Sequence, residues 1–158
     1  MIPIHLLDGL VERFKGELDS LALKDPNNPE IYKPINIFPQ HLPQKNKSTD
    51  LSLYPYLCIR LTDVEGVSEG EPGQSRVLFI AGVFDRTEDN QGYRDALVVI
   101  QKVYESLIRN PMINKQFQLV YPIRATYQEE DSAPYYFAGL ETNWEVPTPL
   151  REDVEHLI

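Results

Sequence analysis

The stretch RVLFIAGVFD, residues 76–85, decides the fold because it is apolar on both faces of the strand that it predicts. Alternate residues of a strand point to opposite sides. One apolar set therefore consists of Val77, Phe79, Ala81 and Val83, and the other of Leu78, Ile80, Gly82 and Phe84. A strand of this kind lies inside a sheet and is covered on both sides by helices, by other segments or by a partner chain.

Two amphipathic helices are expected to pack on this strand. The first has apolar residues at steps of three and four from Leu7 to Leu21, and Pro26 ends it. The second covers residues 91–109, follows the cap residues 88–90, and stops at Pro111. Both helices bury one face and expose a charged one.

The remaining strands are read from alternation of apolar and polar residues over 56–63, 117–127 and 135–146. Pro122 lacks an amide donor, which indicates an edge position or a bulge. The expected fold is an α+β single domain covering residues 1–158. It has an antiparallel sheet of about four strands packed by two helices, in the order α-arm-β-β-α-β-β.

Three segments have an unusual composition. Residues 25–55 contain six of the thirteen prolines and are interpreted as an extended arm. Residues 64–75 predict an exposed hairpin loop that carries Glu65, Glu69 and Glu71. Residues 62–75 contain no Lys or Arg. Residues 147–158 form a charged C-terminal tail.

Composition narrows the class of protein. Fifteen Lys and Arg against 24 Asp and Glu give a formal net charge of −9, which argues against a protein that reads nucleic-acid sequence. The single cysteine, Cys58, cannot form an internal disulfide, and this favours a reducing compartment. The N-terminal residues lack the pattern of a signal peptide, and no apolar run is long enough for a membrane helix. We expect a soluble, cytoplasmic protein without membrane contact.

Motifs for catalysis and metal binding are not found in the sequence. It has no nucleophile elbow, phosphate-binding glycine loop or zinc-protease motif, and its three histidines are far apart. Asp85, Thr87 and Asp89 resemble the start of a calcium loop, but the Gly and Glu that such a loop needs are missing. No catalytic residue, metal or cofactor is therefore predicted. A small hydrolase or ligand-binding domain that uses acids near Trp144 remains an alternative.

Apolar and aromatic residues are more numerous than two helices can cover. Five of them, Tyr127, Tyr135, Tyr136, Phe137 and Trp144, fall on or beside the last two strands. Either the 25–55 arm covers the second face of the central strand, or a neighbouring subunit does. An adaptor that binds a host protein through one apolar patch is a further alternative.

Three segments carry a family resemblance: YPYLCIRLTDVEG (54–66), GVFDRTEDNQGYRDALVVIQKVYESLIRNP (82–111) and PYYFAGLETNWEVPTPLRED (134–153). They resemble small proteins encoded among the tail genes of phages and prophages of Gram-positive bacteria. The chain looks like a tail-terminator or tail-completion protein, similar to the α+β subunits whose ring closes the tail tube at its head-proximal end. Another neck or minor tail component is the alternative within this class.

The resemblance implies a non-enzymatic structural protein of the virion. Its partners would be other copies of itself, the tail-tube protein and the head-completion or connector protein. It would lie in the cytoplasm of the bacterial host during assembly and in the virion tail afterwards. A closed head-to-tail ring predicts a homo-oligomer, a hexamer of about 109 kDa. DNA would pass through without specific binding, because a negative lumen repels phosphate.

The residues expected at interfaces come from the hairpin loop, the arm, the last strand and the tail. They are Glu65, Glu69, Glu71, Ile37, Phe38, Tyr135, Tyr136, Trp144 and Arg151.

Overall fold

The computed structural model describes residues 3–44, 51–66, 68–87, 91–128 and 131–147. Within these ranges the chain forms two helices and eight strands. In chain order they are α1 (Ile4–Glu17), β1 (Ala22–Lys24), β2 (Tyr32–Pro34), β3 (Asn36–Pro39), β4 (Tyr56–Glu65), β5 (Gly73–Phe84), α2 (Gln91–Arg109), β6 (Met112–Ile113), β7 (Phe117–Tyr127) and β8 (Tyr135–Val146). Neither of these helices combines the length and the apolarity that a membrane crossing requires.

The main sheet is larger than the sequence predicts. It has six strands in the order β3-β4-β5-β8-β7-β6, and a separate two-stranded ribbon pairs β1 with β2. The expected sheet of about four strands is therefore wrong, although the fold is a mixed α+β one. The extra strands are only two to four residues long and show no alternation of their own, and one of them, β3, pairs in parallel with β4.

The central position of the double-faced strand is confirmed. β5 pairs antiparallel with β4 on one side, where Ile59 lies opposite Phe79, and with β8 on the other, where Leu140 lies opposite the same Phe79. Its residues Val77, Phe79, Ala81 and Val83 face the helices and join the main core. Hydrogen bonds on both edges, a first face in the main core and a second face covered from Ile80 to Phe84 account for most of its apolar run.

The helices lie on one face of the sheet and are tied to each other. The predicted bounds of α2 are confirmed, whereas α1 ends at Glu17, earlier than the apolar spacing up to Leu21 indicates. Arg13 of α1 donates hydrogen bonds to the Ser106 hydroxyl (3.2 Å), to the Ser106 carbonyl and to the Asn110 carbonyl (2.7 Å). These acceptors lie in the last turn of α2 and at Asn110 directly after it, and the Ser106 carbonyl also accepts a hydrogen bond of 3.1 Å from the Asn110 amide.

The second face of β5 is covered over one half by the chain itself. Leu51, Leu53 and Tyr54, at the end of the proposed arm, pack there in a smaller cluster with residues of β4, β5 and β8. The other half is polar, with Arg76 of β5 opposite Asn143 of β8. The end of the 25–55 segment thus covers part of the sheet. Earlier parts of the same segment form β2 and the edge strand β3.

Candidate functional site

The hairpin that joins β4 to β5 is an acidic projection from the sheet. The strands continue as a pair as far as Glu65 opposite Gln74, so they extend into the segment 64–75 that was expected to be a loop. All described residues of 62–72 are exposed. A turn closes the hairpin with a 3.2 Å hydrogen bond from the Glu71 amide to the Ser68 carbonyl, and Gly70 has a φ of +82° that favours glycine. The paired strands give the Asp63 and Glu65 carboxylates a defined position, and the turn beyond them carries Glu69 and Glu71.

The charge of this hairpin is strongly one-sided. Asp63, Glu65, Glu69 and Glu71 lie within segment 62–75, which contains no Lys or Arg. At its base the Arg76 guanidinium lies 3.9 Å from an Asp63 carboxylate oxygen and 3.1 Å from one of Glu141. Arg76 therefore forms ion pairs with two acids at the base of the hairpin. The electrostatic potential around the tip is negative.

The apolar residues expected at interfaces are not brought together on one surface. Trp144 is fully buried in the main core, and its Nε1 donates a hydrogen bond of 2.9 Å to the Thr142 hydroxyl. Ile37 and Tyr136 pack against the same core. Phe38 and Tyr135 belong to the smaller cluster on the other face. The whole Trp144 side chain is thus covered by residues of its own chain. Arg151 lies outside the described residues.

The smaller cluster is an aromatic layer. Ring centroids are 5.2 Å apart for Tyr54 and Tyr56, 5.7 Å for Tyr54 and Tyr135, and 5.0 Å for Tyr135 and Phe84. These separations are those of favourable aromatic pairs. Over this half of the second face, the cluster provides within the chain the cover for which the arm and a neighbouring subunit were the two alternatives.

Burial changes the acidity of groups in this layer. It raises the pKa of the Tyr54 and Tyr56 phenols and of the Cys58 thiol, with neighbouring Arg60 acting in the opposite direction on Tyr56 and Cys58. The Cys58 sulfur lies 3.7 Å from the Gln40 carbonyl and 3.9 Å from an Arg60 nitrogen. A thiol that is hard to ionise is a packing group and a poor nucleophile.

The two acids nearest to Trp144 along β8 do not share its face of the sheet. The indole lies on the helix-facing side of β8, whereas Glu141 and Glu145 alternate with it and point to the opposite face.

Among the described residues, no group of three His, Cys, Asp or Glu side chains is placed to hold a metal ion. Asp85, the first residue of the calcium-like run, is buried and accepts hydrogen bonds from the Thr87 amide (2.9 Å) and from Lys24 (3.4 Å). Asp89, the third residue of that run, lies outside the described residues.

A groove between α2 and β7 was missed by sequence reasoning. It has a volume of about 600 Å³. Its lining is apolar or uncharged and consists of Leu97, Val98, Ile100, Gln101, Tyr104, Ile123, Ala125, Tyr127 and Leu140. The available signal was Pro122: the predicted irregularity is confirmed as a register shift between Val120 and Arg124. No sequence pattern, however, indicated that α2 would leave this strand uncovered.

Comparison with known proteins adds no further assignment. The chain matches no protein-family model, and a search of curated proteins finds no significant match. The function is therefore argued from the residues and their geometry.

Proposed function

We propose that this chain is a non-enzymatic structural subunit of a phage virion that assembles into the ring ending the tail tube at the head-proximal side. The observation that carries the proposal is the β4–β5 hairpin, which holds Asp63 and Glu65 on its paired strands and Glu69 and Glu71 in the turn between them, all of them exposed. The resemblance of segments 54–66, 82–111 and 134–153 to tail-terminator proteins supports it.

The hairpin has a physical role in such a ring. In a closed ring, every copy of a projecting element lies at the same radius, so hairpins that point inwards form a collar of carboxylates. Duplex DNA carries a dense row of phosphates, and a cationic lumen would hold it through many ion pairs. An acidic collar repels the phosphates instead, and the duplex slides through during packaging and ejection.

Assembly state is the first test of this proposal. Light scattering of the purified protein, alone and mixed with tail-tube protein, is expected to show a ring of about 109 kDa or a ring bound at tube ends. Electron microscopy of the mixture would locate the protein on the tubes. A chain that stays monomeric at high concentration and binds neither tubes nor connector contradicts the proposal. Binding to the connector alone would assign it to another neck component.

The acidic hairpin is tested separately. The triple variant Glu65→Gln, Glu69→Gln and Glu71→Gln is expected to assemble normally and to slow DNA ejection from particles that contain it. A matched control removes three exposed acids from α1 and the turn after it, as Asp8→Asn, Glu12→Gln and Asp19→Asn. Equal ejection rates in the two triple variants would show that the hairpin charge has no role in the passage of DNA.

A further inference from the structure

The groove between α2 and β7 lies at a flank of the main sheet that keeps apolar surface exposed. α2 packs over β5 and β8 and has few contacts with β7. β6 pairs with β7 only at Phe117 and Gln118, and beyond them the outer edge of β7 has no further strand beside it in the described part of the chain. Tyr127 is 59% exposed, and Val98 and Tyr104 on α2 are exposed as well. Exposed apolar surface of this kind marks a place where another segment docks.

The groove has the length of a short helix. Its helical wall runs from Leu97 to Tyr104, a distance of about 10 Å along α2. Its strand wall runs from Ile123 to Tyr127, a distance of about 14 Å along β7. The buried Leu140 of β8 also lines it. An amphipathic helix of two to three turns would place one apolar face along both walls.

The tail that follows β8 carries an apolar stripe of matching length. Within residues 150–158 the apolar positions are Leu150, Val154, Leu157 and Ile158. This spacing predicts that they share one face of an α-helix, over about 12 Å. The other five residues of the segment are polar or charged: Arg151, Glu152, Asp153, Glu155 and His156. The stripe therefore agrees with the groove in length and in apolar character.

The length of the linker decides which copy of the chain offers the groove to this stripe. The near end of the groove is at Ile123, beside Arg124, which pairs with Glu141 on β8. This level lies about 15 Å back along β8 from its last residue, Val146. From Val146 to Leu150 the chain spans at most about 14 Å when fully extended. It would also have to cross to β7 and rise to the level of α2, so the whole stripe cannot enter the groove of its own copy.

Two prolines in the linker favour the same conclusion. Pro147 and Pro149 have a fixed φ and favour extended backbone at the residues before them, Val146 and Thr148. An extended linker continues in the direction of β8, beyond the end of the sheet, and does not turn back over α2. It presents the stripe to a neighbouring copy.

Docking also stabilises a helix of this length. Isolated helices of fewer than about 12 residues are marginal in water, because the first turn is costly to form. Residues 150–158 would gain apolar packing from the groove, and the groove would lose its exposed apolar surface.

We propose that residues 150–158 of one copy dock as an amphipathic helix in the α2–β7 groove of the next copy. Tail and groove are different surfaces of the subunit, so the contact is head-to-tail, and such contacts close into rings when the rotation allows. The proposal deepens the proposed function, on which it rests for the ring, by naming the contact between subunits.

Two variants with opposite defects test the contact. Ala125→Arg fills the middle of the groove from an exposed position, and Val154→Asp places a charge in the stripe. Each variant alone is expected to self-associate roughly tenfold more weakly, in sedimentation at several concentrations, because an unpaired charge is costly to bury. A mixture of the two is expected to form dimers of about 36 kDa and nothing larger, since one contact per pair keeps an intact tail and an intact groove. A mixture that stays monomeric overturns the proposal.

Matched controls place the same kinds of change outside the contact. Thr126→Arg lies on the other face of β7, and Glu152→Gln lies on the polar side of the predicted tail helix. Both are expected to self-associate as the unchanged protein does. If Thr126→Arg weakens association as much as Ala125→Arg, the groove is not the contact.

Cysteine cross-linking distinguishes the groove of the neighbour from the groove of the same copy. One chain carries both Ala125→Cys and Val154→Cys, while the native Cys58 is buried. Under mild oxidation we expect a ladder of linked chains, formed roughly tenfold faster than with Glu12→Cys and Val154→Cys, because docking raises the effective concentration of the thiols. An internal disulfide that leaves monomers would place the tail in its own groove. That result, or formation no faster than in the control, overturns the proposal.

The outcomes separate this contact from the proposed function. Linked ladders and complementing dimers from a protein that ignores tail tubes would keep the contact and overturn the tail assignment. Rings on tail tubes without the cross-link would keep the tail assignment and overturn the contact.

Discussion

The Trp144 indole and the Thr142 hydroxyl form a hydrogen bond of 2.9 Å in the main core, with both residues fully buried. The Thr142 hydroxyl in turn donates to the Val77 carbonyl on β5, also at 2.9 Å. Two polar groups on the helix-facing side of β8 are thus satisfied inside an apolar layer, as buried polar groups must be.

The first prediction concerns this chain of hydrogen bonds. Thr142→Val keeps the shape of the side chain but leaves the Trp144 N–H without its acceptor, and we expect a loss of about 1–3 kcal/mol in the free energy of unfolding. Urea titration followed by the fluorescence of Trp144, the one tryptophan, measures it. The exposed Thr126→Val on β7 is the control, with an expected change within about 0.5 kcal/mol. Equal effects of the two would contradict the buried network.

The second prediction compares two glycines in neighbouring strands. A Cβ at Gly82 would lie 2.3 Å from the Tyr56 ring, whereas one at Gly139 would meet nothing nearer than 3.6 Å. Gly82→Ala is therefore expected to destabilise the fold by about 1–3 kcal/mol, the usual cost of overpacking. Gly139→Ala is expected to be close to neutral in the same urea titration. A neutral Gly82→Ala would show that Tyr56 moves without cost.

The third prediction concerns the link between the helices. Arg13→Ala removes the donors to Ser106 and Asn110, and hydrogen bonds to charged groups contribute about 1.5–3 kcal/mol. We expect a loss in that range, with faster hydrogen exchange of amides near the C-terminus of α2. Glu12→Ala, at an exposed position of the same helix, is the matched control. Unchanged exchange in Arg13→Ala would mean that the helices are held by apolar packing alone.

The fourth prediction concerns alkaline pH. Burial raises the pKa of Cys58 and Tyr56 above their ordinary values of 9.0 and 10.0, so both stay protonated in the folded chain while they ionise in the unfolded one. Stability is therefore full below about pH 9 and falls as the pH rises through and beyond the unfolded pKa values. We expect Cys58→Ala and Tyr56→Phe each to flatten this decline in urea titrations.

Thiol labelling provides an independent check on the fourth prediction. At pH 8, Cys58 is expected to react slowly with a disulfide reagent in the folded chain and rapidly in urea. Rapid reaction in the folded chain would show that the thiol is neither buried nor hard to ionise.

Long elements were predictable from sequence and short ones were not. The bounds of α2, β7 and β8 are confirmed because each has enough residues to show a period of 3.6 or 2, with Pro, Asn or Gly near its ends. β3 has four residues, and its pairing with β4 joins Asn36 to Tyr56 across the proline-rich arm. A strand this short is stabilised by its pairing with another strand, and its own sequence shows no alternation of apolar and polar residues from which it could be predicted.

Of the two candidate surfaces, the acidic hairpin was predictable from the sequence and the groove between α2 and β7 was not. The acidic hairpin follows from composition, since a segment with four acids and no Lys or Arg from residue 62 to residue 75 favours an exposed position. The groove depends on where α2 lies over the sheet, which sets how much of Ile123, Ala125 and Tyr127 remains uncovered.

The amino-acid sequence by itself determined the central strand, the helix faces and the location of the acidic charge, because periodicity and charge are local properties of the chain. Only the tertiary structure decided that segment 51–54 covers half of the second face, that Trp144 is buried, and that β7 keeps an open edge beside a groove. These features depend on which distant residues compete for the same apolar surface, and the packing of the whole chain settles that competition.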